Sequence, residues 1–242
     1  MAPTSRPASL LLAVLALAQP GSPAAAQPCD IELVLAVDVS ISVDGMELDL
    51  QRQGYAEAFR DPEVIAAIAA NAGGVAITIV QWAGQGQQRT AVAWALLTDA
   101  DSSLRFAATV DRVLAVDPEF QGKTALGDAL YYGLQSLNGN GFEGLRRKID
   151  VSGDGRANEG FKPERVRDFA VLSGVTVNGL AIINDEPYLE DYYRGHVIGG
   201  PGAFVMAAAD YEDFVEAIRR KLLRELSPGE TSDAHSTLLA AR

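Results

Sequence analysis

Two hydrophobic rhythms alternate along this chain. Short unbroken apolar runs are followed by longer stretches in which apolar residues recur every three or four positions. The first run, Ile31-Glu32-Leu33-Val34-Leu35-Ala36-Val37, is closed by Asp38. Such a run predicts a strand covered on both faces, as parallel strands are. The signature returns at 75–82 (VAITIVQW), 146–151, 175–183 (VTVNGLAII) and 203–207 (AFVMA). Between these, the helical period predicts helices over 43–60, 62–71, 99–114, 124–137 and 163–172, a short one over 188–193, and a closing one from Asp210. Asp44 with Glu47 reads as a capping box, Pro62 and Pro163 as first-turn residues, and Asp210 with Asp213 as the last cap. Gly84-Gln85-Gly86 predicts a turn from which 89–94 returns as an antiparallel edge strand. The alternation of strand and helix predicts a mostly parallel sheet with helices on both faces.

The termini limit how much of this folds. Arg6, an apolar run over 10–18 and Ala24-Ala25-Ala26 follow the order of a secretory leader. They predict a signal peptide over 1–26 and a mature chain from Gln27, periplasmic or secreted. The apolar run is too short for a membrane anchor, and the mature chain contains no spanning segment. Residues 227–242 hold Pro, Gly, Ser and Thr with few bulky side chains, which predicts a disordered tail and leaves one domain over 27–226. The formal net charge of −12 argues against a nucleic-acid partner, because phosphate binding needs a basic patch. Cys29 is the only cysteine, so no internal disulfide holds the core.

The chemistry sits at the ends of the expected strands. Asp38, Ser40 and Ser42 alternate where the first strand leaves the sheet, the edge at which open α/β sheets bind ligands. Thr124 stands at a helix start after Gln121-Gly122-Lys123, and Asp154 lies just past the strand that ends in Val151. Two carboxylates and three hydroxyls are hard oxygen donors, suited to Mg²⁺ first, with Mn²⁺ or Ca²⁺ as alternatives. Other motifs carry less. Gly139-x-Gly141-x-x-Gly144 has dinucleotide spacing but follows a helix and precedes a strand, the reverse of the phosphate-binding order, and reads as a loop. Asp150-x-Ser152-x-Asp154-Gly155 opens like an EF-hand loop, yet Phe161 stands where its glutamate belongs. Asp150 reads instead as a local hydrogen-bond partner. No nucleophile elbow is present, and His196 has no Ser or Cys partner, so no catalytic triad is expected.

Taken together, Asp38-x-Ser40-x-Ser42, Thr124 within Gly122-Lys123-Thr124-Ala125-Leu126, and Asp154 within Ser152-Gly153-Asp154-Gly155 resemble the metal-ion-dependent adhesion site of von Willebrand factor A-type domains. The stretches IDVSGDG, VNGLAI and YYRGHVIGGPGAFV resemble a group of exported bacterial A-type domains known only as a domain of unknown function. The resemblance implies an α/β, Rossmann-like doubly wound sheet of about six strands with one antiparallel edge. It also implies a cation bound directly by the serines and often the threonine, with the aspartates acting through water and hydrogen bonds. The implied partner is a protein or peptide that completes the coordination with an Asp or Glu carboxylate. Between the serines, where that family often has glycine, stands Ile41. The function expected is thus a non-enzymatic binding module. A metal-dependent hydrolase and a metal-free structural interaction domain are the alternatives, and the oligomeric state is left open.

Overall fold

Strand β1 (Gln27–Asp38) runs up the centre of the sheet, with its residues buried from Ile31 to the end. It pairs in parallel with β2 (Val75–Trp82) on one side and β4 (Phe142–Gly153) on the other. Beyond β2 lies the antiparallel edge strand β3 (Gln88–Leu97), and beyond β4 lie β5 (Val175–Ile182) and β6 (Val205–Ala208), both parallel. The order β3-β2-β1-β4-β5-β6 turns back at β1, so the switch point expected to bind ligands falls between β1 and β4. The computed structural model describes residues 25–116, 120, 122–184 and 186–227. The leader expected over 1–26 and the tail over 227–242 lie outside these, save 25, 26 and 227.

Helices α1 (Gly45–Ala58), α2 (Pro62–Ala69), α3 (Ala100–Val113) and α7 (Tyr211–Leu226) cover one face, packing on Leu33, Leu35, Ile77 and Leu180. The other face packs Val34, Ala36, Ile149 and Val177 against α4 (Leu126–Ser136), α5 (Pro163–Leu172) and α6 (Leu189–Tyr192). This two-sided burial explains why the central strands read as unbroken apolar runs rather than alternating ones. The caps follow the chemistry expected of them. The Asp44 carboxylate accepts from the Met46 and Glu47 amides, Glu47 accepts from the Asp44 amide at 2.8 Å, and Asp210 accepts from the Asp213 amide.

Several expectations need correction. Strand β4 begins at Phe142, so Gly144 is a strand residue rather than part of a loop. A Cβ at Gly144 would lie 2.8 Å from the Glu32 amide nitrogen, and only glycine allows β1 and its Glu32 carboxylate so close. The alternation of exposed and half-buried residues over 142–147 hid this extension. The edge strand is likewise longer than 89–94, and the 188–193 helix is one short turn continued by a π-helical turn, Tyr193–Val197. Cys29 is a free thiol, buried in β1, with its pKa raised chiefly by that burial.

Asp150 is also more than a local hydrogen-bond partner. It points from β4 towards α7 and forms an ion pair with Lys221 Nζ at 2.6 Å; both side chains are buried. Lys221 also meets Glu225 at 3.1 Å, and Lys148 meets the same carboxylate at 3.2 Å. Partners 71 residues apart give no local sequence signal.

Candidate metal centre

Four loops meet at the upper edge of the sheet, above β1 and β4. The first leaves β1 under tight backbone control. The Val39 amide donates to the Trp82 carbonyl, Ile41 to the Gly122 carbonyl, and Val43 to the Ser40 carbonyl. Gln51 Nε2 in α1 donates to the Asp38 carbonyl at 3.1 Å. The second loop brings Thr124, whose amide donates to Asn158 Oδ1 at 2.9 Å while the Asn158 amide donates back to the Thr124 carbonyl. A third loop, after β2, supplies the Ala83 carbonyl that receives the Ala125 amide. Gly84 and Gly122 pass so close that a Cβ on Gly122 would fall 2.3 Å from the Gly84 nitrogen. The fourth, after β4, carries Asp154.

The five residues singled out by sequence come together here. Asp38 Oδ1 accepts from the Ser40 amide at 2.8 Å, the Ser40 and Ser42 hydroxyls lie 3.1 Å apart, and Ser42 Oγ donates to Asp154 Oδ1 at 2.8 Å. Thr124 joins from the side, its Oγ1 3.5 Å from where a Cβ on Gly155 would stand. Ser42 and Ile41 are exposed at the rim, whereas Asp38, Ser40, Thr124 and Asp154 are buried.

Residues outside these five support the cluster. Tyr211 at the start of α7 donates its hydroxyl to Asp154 Oδ2 at 3.3 Å. Around Gly153 crowd Asp38 Oδ2, the Tyr193 hydroxyl and the Trp82 ring, all within 3.2 Å of the position a Cβ would take. Tyr193 OH and Trp82 Nε1 are buried and have no hydrogen-bond partner among the described residues. Asn158, Tyr193 and Tyr211 lie in segments whose local pattern accounts for a loop or a helix. Tyr193 alone carries a signal, as part of an aromatic and acidic segment with Tyr188, Tyr192, Glu190 and Asp191 suited to flanking a binding surface or to a capped amphipathic helix; nothing in the pattern marks Asn158 or Tyr211.

The electrostatics are unusual. Asp38 is fully buried, and its pKa is pushed up to about 8, first by burial and then by the Asp154 carboxylate. The Ser40 and Asp154 amides oppose that shift without cancelling it. Among the described residues, Asp38 Oδ2 has no hydrogen-bond partner and no basic side chain forms an ion pair with Asp38. Tyr193 and Tyr211 are held neutral, mainly by burial and next by these same carboxylates. Among the described residues, no three His, Cys, Asp or Glu side chains gather as a metal centre. The candidate set therefore depends on hydroxyls as much as on carboxylates. A buried, uncompensated carboxylate beside three hydroxyls fits a hard divalent cation.

Comparison with known proteins places this geometry. The family model described as "Protein of unknown function (DUF1194)" matches residues 28–230. The chain belongs to this family. No curated protein matches the sequence. Among solved structures, proximal thread matrix protein 1 from the mussel byssus, with a zinc-occupied MIDAS motif, is 14% identical, with a TM-score of 0.57 over 81% of this chain. The pilus adhesin SpaC from Lactobacillus rhamnosus GG aligns over 81% of this chain at 15% identity and a TM-score of 0.57. The von Willebrand factor type A structure from Catenulispora acidiphila does so over 81% at 16% identity and a TM-score of 0.55. The alignments cover 45%, 30% and 42% of those three chains, so this chain spans less than half of each. The fold is that of a von Willebrand factor A domain.

Proposed function

We propose that the domain over 27–226 is an exported protein-binding module that captures a partner's Asp or Glu carboxylate at a divalent cation, most favourably Mg²⁺. Ser40, Ser42 and Thr124 would hold the cation, with Asp38 and Asp154 supplying negative charge and orienting the hydroxyls. The observation that carries this reading is Asp38: fully buried, with one oxygen unpartnered, beside a second carboxylate and three hydroxyls. A bound cation would supply a counter-charge for Asp38 and a coordination position open to a partner's oxygen. The leader-like segment over 1–26 supports export. The same cluster offers no separate general base for hydrolysis, which favours binding over turnover.

Calorimetric titration with Mg²⁺ and Mn²⁺ tests the reading. Saturable binding by the wild type, lost in Asp38→Ala and weakened at least tenfold in Ser42→Ala, is expected. Absence of binding by the wild type, or equal binding by Asp38→Ala, overturns it. Chelator should then release the partner from a pull-down, and a partner retained without cation would remove the carboxylate-bridging step.

A further inference from the structure

The sheet edge opposite Asp38 carries a surface of the other sign. A cleft of about 740 Å³ opens there between the start of β4, the start of β5, residues 201–204 and the last turn of α7. Its lining includes Arg146, Arg147, Lys148 and Arg224, with no Asp or Glu among the described residues that line it. In a chain of net charge −12 this is a local reversal, and a cleft concentrates such a field.

Two of the four cations are already matched. Arg147 meets Glu32 at 3.4 Å, and Lys148 meets Glu225 at 3.2 Å. The other two form no ion pair among the described residues. Arg146 donates to two neutral acceptors, the Ser227 carbonyl and Asn71 Oδ1, each at 2.7 Å. Arg224 lies with its guanidinium carbon 3.9 Å from the centre of the Phe204 ring. A guanidinium stacked in this way keeps its in-plane N–H donors free for a forked contact with an oxyanion. The platform is fixed, because the Phe204 amide donates to Asn178 Oδ1 at 2.9 Å and Asn178 Nδ2 donates to Glu225 at 2.7 Å. Leu145, Val171 and Pro201 give the same cleft apolar walls, and its volume is that of small-molecule sites.

We propose that this cleft binds a small organic oxyanion, with Arg224 and Arg146 taking its charged groups and Leu145, Val171 and Pro201 its carbon skeleton. The site is independent of the cation centre, so the two stand or fall separately. Titrating the purified protein with citrate and with pyrophosphate tests it, in divalent-free, low-salt buffer, so that neither probe acts by chelation. Saturable binding is expected, weakened at least tenfold by Arg224→Gln and by Arg146→Gln. Asp38→Ala and Arg220→Gln, on α7 but outside the cleft, should leave it unchanged. Tighter citrate than pyrophosphate assigns a polycarboxylate, and the reverse order assigns a phosphate ester or anhydride. Overturning results are no saturable binding of either probe, unchanged affinity in Arg224→Gln, or an equal loss in Arg220→Gln, which would mean diffuse charge rather than a site.

Discussion

Asp150 and Asp154 leave the same strand four residues apart and meet opposite electrostatic surroundings. Asp150 is buried with Glu225, and the chain supplies a cation between them, Lys221, itself buried. Asp154 is buried near Asp38, and no basic group among the described residues forms an ion pair with Asp38. A buried carboxylate without a counter-charge costs several kcal/mol, or it takes up a proton instead. The first cluster is therefore complete as folded, whereas Asp38 in the second keeps a buried carboxylate oxygen that no described residue hydrogen-bonds. The pKa directions agree. Burial raises both aspartates, but Lys221 restrains Asp150 to about 6, while Asp38, beside the Asp154 carboxylate and opposed only by neutral donors, reaches about 8.

The comparison breaks most visibly at Lys221. Lys221→Met leaves Asp150 and Glu225 buried without their cation and should cost about 3–5 kcal/mol in urea unfolding. A loss below about 1 kcal/mol would mean that the cluster is not held by charge. Next in size is the effect of the cation. At a free Mg²⁺ concentration of about 100 times its Kd, unfolding stability should rise by about 2.7 kcal/mol. Asp38→Asn should abolish that gain, while changing the cation-free protein little or stabilising it. An Asn variant that is strongly destabilised without metal would show that Asp38 has a partner in the chain after all.

The pH dependence is a finer test. A carboxyl with a raised folded pKa contributes stability that is complete below its unfolded value near 4 and is lost as pH rises through the folded value. The cation-free protein should therefore lose stability between pH 5 and 8, by at most about 1.4 kcal/mol per pH unit for each proton involved. Below pH 6 both Asp150 and Asp38 contribute to the slope, and between pH 6 and 8 Asp38 contributes alone. Asp38→Asn should abolish the slope between pH 6 and 8 and reduce it below pH 6, and a slope unchanged in that variant would unseat the assignment. The smallest expected effect lies at the helix that supports the site's first loop. Asp44→Ala removes the acceptor for the Met46 and Glu47 amides and should cost about 1 kcal/mol.

Much of the fold and the candidate site was legible before any coordinates. Residues 75–82 and 163–172 match β2 and α5 residue for residue, because an unbroken apolar run and a proline-started amphipathic period each have one local interpretation. Asp38, Ser40, Ser42, Thr124 and Asp154 were legible because each follows a strand or opens a helix, and strand ends in a parallel sheet share one edge. The lower half of β4 was not legible, since its half-exposed residues lack the apolar run that marked the upper half. Tyr211 was hidden for another reason: a buried aromatic in a helix looks the same whether it packs on leucine or on a carboxylate.

The sequence by itself determined the alternating α/β order, the antiparallel edge and the helix caps, which depend on residues close together along the chain. Only the tertiary structure decided the electrostatic state of each aspartate. Lys221 reaches Asp150 across 71 positions, and Ser42 reaches Asp154 across 112. Whether a buried carboxylate finds a counter-charge depends on how helices lie over the sheet, and no local pattern carries that information.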